Sequence, residues 1–117
     1  MANLEQLYAA AGGSAAETIK RLCGNEDIIK MFLKKFPKDE SFTGLVKSLG
    51  DGETETAFRM AHTLKGIAAN LGLQTLYEKS SAVTEFLRAG NADDAKKAMP
   101  ELEAEYNKTL KLIEELD

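Results

Sequence analysis

Apolar residues recur at every third or fourth position through most of this chain, and nowhere do they alternate over a sustained run. Spacing of three and four is the repeat of one helix face, whereas a half-buried strand needs a period of two. The pattern therefore predicts an all-α fold without a sheet. Punctuation divides it into segments. Short N-terminal helices are expected within 3–23, the first ended by Gly12-Gly13 and the second opened by the capping-box sequence Ser14-Ala15-Ala16-Glu17. Asn25 caps a helix over about 25–36, with Ile28, Ile29, Phe32, Leu33 and Phe36 on one broad face and Pro37 marking its end. Further helices are expected over about 38–49 (Phe42, Leu45, Val46, Leu49), 53–71, 73–89 (Leu73, Leu76, Tyr77, Ser80, Val83 and Leu87 inward) and 91–116 (Leu102, Tyr106, Leu110, Ile113, Leu116). Pro100 falls inside the last and is expected to kink or split it.

Long helices joined by short loops argue for an antiparallel up-down-up-down four-helix bundle, with the short N-terminal helices capping it. At 117 residues a single domain spanning 1–117 is expected. A monomer is expected too, because one core uses up the apolar faces. The net charge of −4 and pI of about 5.1 argue against general nucleic-acid binding, which needs a basic surface. No apolar run approaches the roughly 18 residues of a membrane span, and the N-terminus lacks signal-peptide character. A cytoplasmic location is the resulting expectation. Cys23, the one cysteine, reads as a buried free thiol rather than a redox site.

His62 is the one histidine. The apolar residues Ala57, Met60, Ala61, Leu64, Ala68 and Leu71 define the buried face of its helix. At about 100° per residue, His62 lies roughly 160° from Leu64, facing water. Glu55, Phe58, Arg59, Lys65, Gly66 and Ala69 share its face. Phe58 is expected to be exposed there. Glycine inside a helix costs up to about 1 kcal/mol relative to alanine. Close approach by another molecule is one reason to keep it. Lys65 and Arg59 bring positive charge that suits a phosphoryl group or a partner's carboxylates. A lone surface histidine is ordinarily only a solvated side chain. His, Lys and Gly at i, i+3 and i+4 together are a less ordinary coincidence.

The run from Ala61 to Gly72 resembles the signature of histidine-containing phosphotransfer (HPt) domains, with His62, Leu64, Lys65, Gly66 and Gly72 in the family's places. The preceding segment, Arg21 to Asn25 and then Ile29 to Phe36, is similar to the one that leads into the motif in such domains. Ile67 departs from a frequent Ser. Val83-Thr84 stands where the family often has Leu followed by Glu or Gln, a position that can help orient the imidazole.

The resemblance implies a phosphorelay intermediate. His62 would accept a phosphoryl group from a receiver-domain aspartate, through its outer ring nitrogen, and pass it to another receiver. Neutral imidazole is a good nucleophile, and histidine ordinarily titrates near pH 6.5. Lys65 would stabilise the phosphoryl oxygens. Docking would use Phe58, Arg59, Gly66 and Ala69, with Lys79 or Thr84 from the next helix. The partners implied are receiver domains and a hybrid sensor kinase, with no nucleic acid and no membrane. No Gly-rich phosphate loop, zinc cluster or calcium loop is present in the sequence, so no cofactor or metal is expected on this chain. Magnesium is expected on the receiver. The chain reads as a carrier without its own kinase, not as an enzyme. Two other readings stay open: a four-helix adaptor that binds a receiver or kinase without being phosphorylated, and a domain detached from a chemotaxis or hybrid kinase. A plausible start and a final capped helix favour a free-standing protein.

Overall fold

The computed structural model describes residues 3–22 and 24–116. Among them, helices follow one another as α1 (Leu4–Ala11), α2 (Ala15–Arg21), α3 (Glu26–Lys35), α4 (Ser41–Gly50), α5 (Thr54–Leu71), α6 (Gln74–Arg88) and α7 (Ala92–Glu114). A 3₁₀ turn, Phe36–Lys38, joins α3 to α4 and holds Pro37 in its first turn, where a missing N–H costs nothing. It pushes the start of α4 to Ser41, later than the expected 38. The reading of Cys23 as a buried thiol lies outside the described residues.

Local chemistry explains the helix ends. Asn3 and Gln6 form a complete capping box, each side chain bonding the other's backbone N–H. At Ser14 the hydroxyl accepts from Glu17 N, and Asn25 and Asn91 cap α3 and α7. Pro100 neither splits α7 nor ends it. Pro100 and Lys96 are both exposed, so the missing helical bond falls on the side of α7 where water can replace it.

Four helices, α4 to α7, form the bundle. Neighbours in sequence are neighbours in space: α5 packs along α4 and α6, and α6 along α7. The connections are residues 51–53, 72–73 and 89–91. Loops that short turn each helix back along its predecessor. Leu45, Leu64, Leu73, Leu76, Val83 and Leu102 are fully buried between them. An aromatic group ties the first and last helices together. Phe42 stacks on Tyr106 with ring centroids 4.1 Å apart, and Phe36 meets Tyr106 edge-on at 5.8 Å. Two residues expected on inner faces are instead exposed, Phe32 and Val46. Each sits at the margin of an apolar stripe wider than its packing partner can cover.

The N-terminal helices serve the end of α5. Its last carbonyls have no helical partner and need others. Gly72 takes a left-handed φ of 70°, and its N–H bonds Ala69 O at 3.2 Å while Leu73 N bonds Ala68 O at 3.0 Å. From α2, Arg21 Nη2 donates to Ala69 O and Asn70 O, both at 3.0 Å. From α1, the buried Tyr8 hydroxyl donates to Leu71 O at 2.6 Å. Each of these carbonyls is satisfied. The Arg21 charge also faces the negative end of the helix dipole.

Candidate functional site

α5 buries Ala57, Ala61, Leu64, Ala68 and Leu71 against the core and leaves His62 exposed on the opposite side. One turn earlier, the Phe58 ring stacks on the imidazole, with centroids 5.8 Å apart and planes 19° from parallel. Phe58 is half-buried rather than exposed as expected. It packs at the edge of the core, and the Arg88 guanidinium carbon from α6 lies 5.0 Å from its ring centroid. A ring at a core margin gains more from such cover than from water.

Lys65 lies one turn past His62 and leans toward α6. Its side chain is 23% exposed, with Nζ 4.0 Å from Glu85 Oε2 and 6.0 Å from the Tyr77 ring centroid. The Glu85 carboxylate also accepts from Arg88 Nε, at 3.2 and 3.3 Å. A basic edge thus borders the imidazole on the α6 side, with one carboxylate set into it. Arg59 and Ala69 are exposed on the same helix face, and Arg59 Nη2 reaches Thr56 Oγ1 at 3.4 Å.

Gly66 is exposed in the middle of α5, and a Cβ built there meets nothing within 4 Å. Nothing in the protein's own packing requires glycine at this position. At Gly44 a Cβ would press on Met60 Sδ at 2.9 Å, so there the packing itself accounts for the residue.

One expected docking residue is corrected. Thr84 is fully buried, its hydroxyl donating to Ser80 O at 2.7 Å. It lies one turn from the inward Ser80, and its back-bonded hydroxyl lets it enter the core without an unmet hydrogen bond. Lys79, the other docking residue expected on α6, pairs with Glu101 of α7 at 3.2 Å. The α6 residues that flank the site are Tyr77, expected from the sequence only as an inward residue, and Glu85 and Arg88, which the sequence reading does not include. Their signal was present: 77, 81, 85 and 88 fall on one stripe, and Glu85 and Arg88 form an i, i+3 pair.

Among the described residues, no group of three or more His, Cys, Asp or Glu side chains stands ready to hold a metal ion. Among the described residues, no helix is long and apolar enough to cross a membrane. A protein-family model described as the Hpt domain matches residues 27–111. No curated protein and no solved structure matches the chain.

Proposed function

The chain belongs to the Hpt domain family of two-component phosphotransfer, and from that premise we propose that it carries a phosphoryl group on His62 between receiver domains. Domains of this family are phosphocarriers rather than kinases. The observation that carries the reading is Gly66. A helical glycine that its own fold does not need, one turn from a water-facing imidazole, leaves room for a second protein to bring its phosphoryl group within reach.

The transfer is an in-line exchange. The unprotonated ring nitrogen of His62 attacks phosphorus of a receiver's aspartyl phosphate. The N–P bond forms as the P–O bond to the carboxylate breaks, and the carboxylate leaves with its electron pair. The other ring nitrogen keeps its proton. A second receiver's carboxylate attacks the same phosphorus from the open side and reverses the exchange. Lys65 offsets charge on the phosphoryl oxygens, and the Phe58 ring holds the imidazole plane. Gly66 and Ala69 keep the approach low, and Arg59 offers a cation to the partner's rim. The complex is transient, with an interface on the order of 1,200 Å² or less.

The test is a phosphotransfer assay against a panel of phosphorylated receiver domains, with His62→Gln in parallel. Wild type takes up an acid-labile, base-stable phosphoryl group, while His62→Gln takes up none and melts within about 2 °C of wild type, as a solvent-facing change should. Equal labelling of the variant would overturn the assignment. Receiver binding without any transfer would point to the unphosphorylated adaptor.

A further inference from the structure

Glu85 is a feature of the site that phosphoryl transfer leaves unexplained, and the inference drawn from it rests on the carrier reading of His62. A carboxylate beside a phosphoryl acceptor repels the group to be accepted. Glu85 nevertheless sits between two cations, Lys65 at 4.0 Å and Arg88 at 3.2 Å. Each cation also leans on an aromatic ring. Lys65 lies over Tyr77, and Arg88 lies over Phe58, which itself stacks on His62. One carboxylate is thus joined to both sides of the imidazole, to the ring that orients it and to the ammonium that is to meet the phosphoryl.

We infer that Glu85 is a positioning residue that holds Lys65 and Arg88 while His62 is unloaded and releases Lys65 to the phosphoryl group when His62 is loaded. A phosphoryl group carries a charge of about −1.5 to −2 near neutral pH against −1 for a carboxylate. The longer of Glu85's two ion pairs, the one to Lys65, yields first. The shorter pair keeps Arg88 over Phe58, so the stack on His62 is held in both states. Because Glu85 keeps drawing on Lys65, the phosphoryl group is held less firmly than Lys65 alone would hold it. A carrier benefits from that restraint, since a group bound too tightly is not passed on. The charged groups bordering the imidazole are Glu55, Arg59 and Lys65 on α5 and Glu85 and Arg88 on α6.

The experiment is a ³¹P NMR titration of the phosphohistidine formed on the intact chain with phosphoramidate. It compares wild type, Glu85→Gln, Lys65→Met and the double variant. Glu85→Gln keeps an oxygen for Arg88 but removes the charge. It raises the second acid dissociation constant of the phosphoryl group about two- to fivefold, the range that solvent-exposed ion pairs support. Lys65→Met lowers that constant, and in its background the Glu85→Gln effect shrinks to less than half. A purely structural role for Glu85 would not move this titration. An unmoved titration, or the same Glu85→Gln effect with and without Lys65, overturns the inference and leaves the carrier reading standing. If phosphoramidate labels no histidine on wild type, the carrier reading falls and this inference with it.

Discussion

Gly66 lies mid-helix on α5 and Gly72 just past the end of the same helix, and the two are glycine for opposite reasons. At Gly72 the backbone is left-handed, and an added Cβ would overlap the Thr18 hydroxyl of α2. Nearby, a Cβ on Gly13 would strike the Gly72 carbonyl oxygen. That corner is a joint in which both glycines lie directly against their neighbours. At Gly66 the helix is regular and the space is empty. The joint is shaped by what the chain touches, the open face by what it leaves free. Stability should reside in the first and partner recognition in the second.

The sharpest way to break this contrast is Gly72→Ala. Left-handed backbone costs an L residue about 1–2 kcal/mol, and overpacking adds about 1–3 kcal/mol. The variant is expected to lose about 3 kcal/mol or more, lowering Tm by roughly 10 °C, while phosphotransfer persists at temperatures where it remains folded. A variant that melts like wild type but fails in transfer would reverse the assignment of the two regions.

Tyr8→Phe probes the same joint more gently. It removes the bond to Leu71 O and is expected to cost about 1–2 kcal/mol at neutral pH. Burial, opposed weakly by Thr18 and Arg21, pushes the Tyr8 hydroxyl up to about 12 from an ordinary 10.0. The folded state therefore binds this proton more tightly than the unfolded state does. Its contribution is fully present below about pH 10 and is lost as pH rises through about 12. Urea melts of wild type should lose stability across that window, on the order of 2 kcal/mol from this group. Tyr8→Phe should lose less, keeping the alkaline slope of Tyr106, which burial also raises. Identical alkaline slopes in both proteins would mean that the joint opens before Tyr8 titrates.

The smallest effect on stability, and the one that most sharpens the contrast, belongs to Gly66. Replacing it with Ala is expected to stabilise the fold by up to about 1 kcal/mol while slowing transfer. Gly66→Gln should slow it further, by about tenfold or more, since losing 1.4 kcal/mol of partner binding is a factor of ten. If Gly66→Gln stays folded and transfers at the wild-type rate, no partner comes close to this face.

Much of this was legible in the sequence, because helical periodicity depends on neighbours three and four residues away. Ala57, Ala61, Leu64, Ala68 and Leu71 could be placed inward from their spacing alone, and so His62 outward. Thr84 was misplaced although the same rule applied to it. It stands four residues after the inward Ser80, on the buried stripe of α6. The other errors concern the boundary of the core. Phe32 and Phe58 lie at stripe margins, where one residue ends in water and the other under Arg88. Which occurs depends on a neighbouring helix distant in the chain, and periodicity within one helix carries no information about it. Glu85 was missed for a related reason. Its i, i+3 pairing with Arg88 is local and readable, while its approach to Lys65 exists only once α6 lies against α5.

The stretch that matches the family begins at residue 27, after α1 and α2 have ended. Yet Tyr8 and Arg21, both outside it, supply three of the hydrogen bonds that finish the helix carrying His62. The hydrogen bonding that finishes α5 thus reaches outside the stretch that matches the family. A fragment cut at the family boundary keeps the whole signature motif and leaves the Asn70 and Leu71 carbonyls seeking new partners. A chimeric signalling protein built from this domain keeps the original partners only if the first two helices travel with the motif.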